Sequence, residues 1–288
     1  MLINTVTLFL RDALPMFVVL TILLSLLNQQ GIKHRWCYLA GIVGLLGSMT
    51  MLASIDTISN AFDGTGREWL YALCYLCCYC ATLYLIDQTY VNKNTLTDIK
   101  ITNKPKSISK IRYCAMAILS MIIMLKSAHF LIYITVFWTQ NDDLNVLLTG
   151  MILGAGICTS IAILLYFLMD IINVYYRFIR ETLLVLFNVG LLMQSSNLLL
   201  QIDALPSGNL LWDSNDIVLE NSEMGQLLNV FFGYDATPTL IQLLLYVLAL
   251  VIAFSLIFIR TRTHVQRLLS EKHTPHKELI KNNAKEAL

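Results

Sequence analysis

The chain has 288 residues, of which 57% are hydrophobic and 14% are charged, and its net charge at pH 7 is +1. Together with a mean hydropathy of +0.65, this composition excludes the soluble globular and disordered classes and indicates a polytopic membrane protein. The balanced charge predicts no nucleic-acid partner. No cleavable signal peptide is expected, because the first ten residues carry no basic side chain.

The first apolar segment, residues 3–27, contains the charged pair Arg11 and Asp12, followed by Pro15. A hydrophobic run of this length predicts a membrane-spanning helix. An ionisable group within a span costs about 2.5–3.5 kcal/mol on insertion scales, so it usually faces a protein interior or a water-filled path. Pro15 cannot donate a hydrogen bond to the Arg11 carbonyl oxygen, which predicts a bend or a local unwinding there. The alternative is a neutral pair near the membrane surface, with its side chains reaching water.

Six further apolar segments follow the first one. Together they predict an all-α polytopic membrane protein with seven transmembrane helices. The seven segments are residues 3–27, 36–55, 69–87, 113–138, 146–169, 182–201 and 239–259. In the third segment Cys74, Cys77 and Cys78 share a helical face, which suits a soft metal but is more typical of cysteine as a small apolar residue.

The distribution of basic residues predicts the orientation of the spans. Seventeen of the twenty Lys and Arg residues lie in the segments that follow the first, third, fifth and seventh spans. By the positive-inside rule these segments are cytoplasmic, so the N-terminus lies outside and the C-terminus lies in the cytoplasm. We therefore expect a seven-helix membrane domain over residues 1–260 and a basic cytoplasmic tail over residues 261–288.

The connections on the opposite side are acidic. Asp142 and Asp143 link the fourth and fifth spans, and the segment 201–239 has six carboxylates, among them Asp235, with no Lys or Arg. A negatively charged rim concentrates cations at an entrance, so Asp142, Asp143 and Asp235 are candidates for an entrance rim. The alternative is a solvated loop whose charge merely follows the topology.

The fourth span has intramembrane polar groups of its own, Lys126, Ser127 and His129. Lys126 and His129 are three residues apart and therefore lie on one face of a helix. A lone histidine in a span is usually a satisfied core residue. A lysine and a histidine at helical spacing near the middle of a span, however, favour a functional site.

Taken together, these features resemble the oxidase-dependent iron permease family, the ferric permeases of fungi and their bacterial relatives. The resemblance covers almost the whole chain and is carried by residues 10–15, 66–69, 150–166 and 227–238. It implies two inverted three-helix repeats plus a seventh helix, an arrangement that agrees with the predicted topology. It also implies that Arg-Glu-x-x-Glu motifs in the first and fourth spans face each other and bind ferric iron.

Both motifs depart from the family pattern. In the first span Arg11 is kept, Asp12 replaces the first glutamate and Pro15 replaces the second. The corresponding positions of the fourth span are Lys126, Ser127 and Phe130. One of four expected acidic ligands is therefore left. Paired glutamates suit a small trivalent cation, whereas one carboxylate with a histidine suits a divalent ion such as ferrous iron.

The resemblance implies an iron permease of the bacterial inner (plasma) membrane that is not an enzyme and has no cofactor, with iron as the transported substrate. The residues expected to line a transport cavity between the first and fourth spans are Arg11, Asp12, Pro15, Lys126, Ser127 and His129. The candidate metal ligands are Asp12, Glu68 and His129. Expected partners are the lipid bilayer, a periplasmic iron-oxidising or iron-delivering protein, and other membrane subunits. The alternative is a non-transporting pseudo-permease that acts as a structural or regulatory subunit of a membrane complex.

Overall fold

The computed structural model describes residues 2–60, 64–97, 104–139, 144–175, 177–206, 208, 210–219 and 222–286. Within these ranges the chain forms helices, the longest connection is the one between Gln201 and Glu223, and a single β-bridge pairs Leu210 with Thr239. The helices are α1 (Leu2–Asn28), α2 (Arg35–Ala53), α3 (Ile55–Ser59), α4 (Gly66–Thr97), α5 (Lys104–Thr139), α6 (Leu144–Tyr175), α7 (Arg177–Gln201), α8 (Glu223–Phe232) and α9 (Leu240–Glu286).

Seven of these helices are long and apolar enough to cross a membrane, which confirms the seven predicted spans. The spans are Thr5–Asn28, Arg35–Ala53, Gly66–Thr89, Ile108–Ile132, Leu147–Ile171, Glu181–Gln201 and Leu240–Thr263. The protein is therefore an all-α polytopic membrane protein. The helix α9 continues past its span to Glu286, so the basic tail begins as an extension of the last span. The orientation of the termini stays a prediction.

The helix α1 lies at the centre of the bundle. In its most apolar stretch 67% of the residues are buried, against 22% for α6 and for α9. Many of the exposed α6 side chains, such as Ile152 and Leu164, are large and apolar and suit a surface that faces lipid. A charged residue on α1 is therefore more readily enclosed by protein than one on α6 or α9.

Glycines allow two pairs of spans to approach closely. A Cβ atom on Gly154 of α6 would lie 2.8 Å from Cδ1 of Phe9 on α1. In the same way, a Cβ atom on Gly44 of α2 would lie 2.8 Å from Cβ of Ile123 on α5. Small residues at helix contacts let membrane helices pack backbone against side chain, and these contacts hold α1 against α6 and α2 against α5.

The segment between α7 and α9 folds back on the bundle through α8. Ser222 caps the start of α8, since its Oγ accepts a 3.0 Å hydrogen bond from the Gly225 amide. Gly233 ends the helix at φ +69°, in the left-handed region that favours glycine. A Cβ atom on Gly190 of α7 would lie 2.9 Å from the Gly233 amide nitrogen. The backbones of α7 and of the α8 end are therefore in direct contact.

We expect Gly190→Ala to lower the free energy of unfolding by about 1–3 kcal/mol, because the added methyl group must push α8 away from α7. The matched control is Gly156→Ala on α6, where a Cβ atom meets nothing within 4 Å. This control is expected to be neutral or slightly stabilising, since alanine is the better helix former. Unfolding midpoints of both variants in detergent measure the difference, and equal midpoints would contradict the close contact.

Candidate functional site

The two charges of the first span differ in their surroundings. Asp12 is buried, with 7% of its side chain exposed, whereas 57% of the Arg11 side chain is exposed. The Nε atom of Arg11 lies 3.6 Å from Oδ1 of Asp12, so the two groups form an ion pair. The carboxylate thus faces the protein interior, while the guanidinium lies at the surface of the bundle.

Pro15 is accommodated within an unbroken helix. The helix α1 continues from Leu2 to Asn28 with Pro15 inside it, and Pro15 is itself buried. The local unwinding predicted at this position is therefore wrong, whereas the predicted bend stays a prediction. The physical reason is that α1 is enclosed by other spans, so packing holds the helical backbone dihedral angles although one backbone hydrogen bond is lost.

Lys126 is the corresponding buried charge on α5. It is 6% exposed, and its Nζ donates a 2.7 Å hydrogen bond to Oε1 of Gln194 on α7. The same ammonium lies 5.8 Å from the centre of the Tyr75 ring on α4, within the range of a cation–π contact. It is attracted by Asp12 and repelled by Arg11. The charged positions of the first and fourth spans therefore act on each other across the bundle.

A directed chain of hydrogen bonds leads from Lys126 to the loop after α8. Nε2 of Gln194 donates to Oδ1 of Asn229 at 3.0 Å, and Nδ2 of Asn229 donates to the Tyr234 carbonyl oxygen at 2.8 Å. Each amide therefore turns its oxygen towards Lys126. Sequence reasoning missed Gln194 and Asn229, although a polar amide within an apolar helix is a signal that could have drawn attention to both.

His129 and Ser127 lie beside Lys126 on α5. The His129 ring packs on Tyr71 of α4, with 4.9 Å between the ring centres and a tilt of 35°, and Ser127 is buried. Three cations, Lys126, Arg67 and Arg11, act on His129, so positive charge lies on several sides of this ring.

The carboxylate predicted to open the third span is paired with its neighbour. Oε1 of Glu68 lies 3.4 Å from a guanidinium nitrogen of Arg67. Among the residues that the structure describes, no group of three or more His, Cys, Asp and Glu side chains is arranged to hold a metal ion. An ion at Asp12 would therefore take at most one further ligand of these types from the described residues, with hydroxyl, amide, carbonyl or water oxygens completing its coordination.

Asp235 joins two spans through hydrogen bonds. Its Oδ2 accepts from Nδ2 of Asn197 on α7 at 3.3 Å and from Nε2 of Gln242 on α9 at 3.2 Å, and its Oδ1 accepts from the Thr237 amide at 3.1 Å. Gln242 also donates to Oδ1 of Asn197. The Asp235 carboxylate thus connects α7 to α9 and is half-buried. Ions in the solvent therefore reach it less readily than they would reach a fully exposed carboxylate at the entrance rim. Asp142 and Asp143 lie outside the described residues.

Two more buried polar side chains on α7 were missed by sequence reasoning. Glu181 is 2% exposed and Asn188 is 1% exposed. Nδ2 of Asn188 donates to the Leu184 carbonyl oxygen at 2.9 Å, whereas its Oδ1 has no hydrogen-bond partner in the described part of the chain. The helix α7 therefore contributes more polar groups to the interior than the charge pattern alone indicates.

Comparison with known proteins adds one match. The model of the Iron permease FTR1 family matches residues 2–270. The match takes in all seven spans and therefore both helices that carry the buried charges, α1 and α5. No curated protein and no solved structure matches the chain.

Proposed function

The chain belongs to the iron permease FTR1 family, and we propose that it moves iron across the membrane along the interface between α1 and α5. Membership of the family supports transport of the iron permease type. The observation that carries the specific route is the burial of two opposite charges, Asp12 on α1 and Lys126 on α5. Buried charges within spans are costly and typically mark the path of an ion or proton.

The packing of the spans supports the inverted repeat that this route requires. The most extensive helix contacts are those of α1 with α6 and of α2 with α5. The repeat relates α1, α2 and α4, in that order, to α5, α6 and α7. It exchanges α1 with α5 and α2 with α6, so the contact of α1 with α6 corresponds to the contact of α5 with α2. The contacts of α1 with α5 and of α4 with α7 each correspond to themselves. In transporters with inverted repeats the substrate binds at the repeat interface.

In this proposal Asp12 is the main ligand, because it is the buried carboxylate of the α1–α5 interface. Ser127 and His129 supply neutral donors on α5, and Glu68 acts on the approach to the site. Arg11 and Lys126 balance the carboxylate when no ion is present. One carboxylate neutralises less charge than the four of the family motif, so the proposed ion is ferrous rather than ferric iron.

We further propose an orientation and a location for the protein. The N-terminus lies outside a bacterial inner membrane, and iron reaches the acidic connections of that side from an iron-oxidising or iron-delivering protein. Asp142, Asp143 and Asp235 belong to those connections. Negative charge at an entrance raises the local concentration of cations and thereby the rate of their capture.

A second candidate is a pseudo-permease that serves as a structural or regulatory subunit. The observation that favours it is the position of the Lys126 ammonium, which donates to Gln194 and is attracted by Asp12. This ammonium already supplies the positive charge that a transported cation would bring to Asp12. In a pseudo-permease it is a permanent counter-ion, whereas in a transporter it must give way when iron arrives.

Uptake by the purified full-length protein in liposomes distinguishes the two functions. We expect ferrous iron to quench an enclosed iron-sensitive dye faster than in protein-free vesicles, with a rate that saturates as iron is increased. Ferric iron, supplied as a soluble chelate, is the comparison. Vesicles that take up neither ion, even when an iron-oxidising partner is added, would contradict transport and leave the pseudo-permease.

A further inference from the structure

A groove of about 480 Å³ lies beyond the C-terminal end of α1, where the end of α1, the start of α2 and the first turns of α5 meet. Its basic lining residues are Lys33, Arg35 and Arg112, and no acidic side chain is among the described residues that line it. The rest of the lining includes the apolar side chains of Trp36, Leu39 and Met116. A pocket that combines three cations with an apolar wall is suited to an amphipathic anion.

The three cations are available to a ligand. Lys33, Arg35 and Arg112 are exposed, and none of them is among the ion pairs formed by the described residues. The guanidinium carbon of Arg112 lies 5.2 Å from the centre of the Tyr113 ring, so a second groove residue holds this cation in position. An anion in the groove would therefore meet positive charge that has no ion-pair partner among the described residues.

Trp36 supplies an unsatisfied hydrogen-bond donor at the wall of the same groove. It is 2% exposed, and its Nε1 has no acceptor in the part of the chain that the structure describes. Buried donors without partners are rare. Tryptophan also belongs to the residues that gather at the level of the lipid headgroups, where the ring is apolar and the N–H needs an acceptor.

The depth of the groove in the membrane is given by the ends of three spans. The first span ends at Asn28, the second begins at Arg35 and the fourth begins at Ile108, so the lining residues lie where spans meet the headgroup layer. Leu39, 54% exposed, continues into the exposed apolar face of α2 that includes Ile42 and Leu46. A molecule with its charged end among the three cations can thus leave its hydrocarbon chain in the bilayer.

We propose that this groove binds an anionic glycerophospholipid, with the phosphate among Lys33, Arg35 and Arg112 and the upper part of an acyl chain against Leu39 and Met116. Basic pockets between spans are known to take anionic headgroups. Free inorganic phosphate would use the cations but not the apolar wall, which is why the lipid is the better fit. The proposal is independent of the proposed iron transport, since none of these residues belongs to the α1–α5 charged site.

Binding of defined lipids to the full-length protein in detergent tests the proposal, with bound lipid counted by native mass spectrometry. We expect phosphatidylglycerol to bind at least tenfold more tightly than phosphatidylcholine with the same acyl chains. Arg112→Gln and Lys33→Gln should each reduce this preference about fivefold. The matched control is Arg262→Gln, an exposed cation of α9 that does not line the groove, and it should leave the preference unchanged. Millimolar inorganic phosphate should not compete.

A groove-filling variant separates a built site from general attraction to an anionic surface. Leu39→Trp keeps every charge but occupies the apolar wall, so it should weaken binding of phosphatidylglycerol severalfold while the protein keeps its unfolding midpoint in lipid-free detergent. The proposal is overturned if the two lipids bind equally, or if Arg262→Gln reduces the preference as much as Arg112→Gln. It is also overturned if Leu39→Trp binds phosphatidylglycerol as the wild type does.

Discussion

Replacing Asp12 by asparagine is expected to reduce iron uptake by about a hundredfold with little change in shape. The substitution removes the buried carboxylate that acts on Lys126 and leaves the cations Arg11 and Lys126 in place. At an effective dielectric constant near 20, one like charge at about 5 Å costs a cation roughly 3 kcal/mol, which corresponds to about a hundredfold in occupancy. Initial rates of ferrous iron uptake into liposomes measure the effect.

The matched control for this loss of charge is Asp213→Asn. Asp213 is an exposed loop residue whose carboxylate accepts hydrogen bonds from Asn215, and its replacement should leave the uptake rate within about twofold. Replacing Asp142 and Asp143 together should slow uptake moderately, and less at high salt, because exposed charges act through a screened field. Uptake by Asp12→Asn at the wild-type rate would exclude Asp12 as a ligand.

Replacing Lys126 by methionine is expected to destabilise the protein and, if the protein transports iron, to strengthen iron binding. Truncating one partner of a buried charge pair typically costs about 3–5 kcal/mol, and here the remaining carboxylate keeps only Arg11, which is largely exposed. The same change removes the ammonium that competes with a cation for Asp12. Unfolding midpoints in detergent and iron affinity measured by titration report the two effects separately.

A double-mutant cycle tests whether Asp12 and Lys126 depend on each other. In Asp12→Asn/Lys126→Met both charges are gone, so the double variant should be more stable than the sum of the single losses predicts, by at least about 1 kcal/mol. Lys110→Met is the control on the same helix. Lys110 is exposed, and its replacement should change stability by no more than about 0.5 kcal/mol. Strictly additive losses would show that the two buried charges are not coupled.

The outcome of these variants also separates the two candidate functions. In a transporter, Asp12→Asn removes uptake and Lys126→Met tightens iron binding. In a pseudo-permease, the wild type takes up no iron, and both substitutions act on stability alone, because each leaves a buried charge without its counter-charge. The family, which the match over residues 2–270 establishes, is common to both outcomes.

The number and position of the spans followed from the sequence alone, and so did the burial of Asp12 and Lys126. The position of a span and the burial of a charge within it each depend on the sequence of one segment. A run of apolar residues of sufficient length forms a helix across the bilayer whatever its neighbours are, and a charge within it is costly enough that it is usually turned inward, as Asp12 and Lys126 are. The charges within the first and fourth apolar segments also indicated the two helices, α1 and α5, in which the family resemblance placed the motifs.

The partners of those charges were decided by the tertiary structure. Gln194 is 68 residues from Lys126 in the chain, and Asn229 is a further 35 residues away, so no spacing rule connects them. Their hydrogen bonds exist because α5 and α7 both pack against α4 and because α8 packs against α7, and which helices become neighbours depends on the packing of the whole bundle. The same reason applies to the exposure of Arg11 and to the unbroken helix at Pro15. In each case the neighbouring helices determine whether water or lipid can reach the side chain or the backbone. No single segment of the sequence specifies which helices these neighbours are.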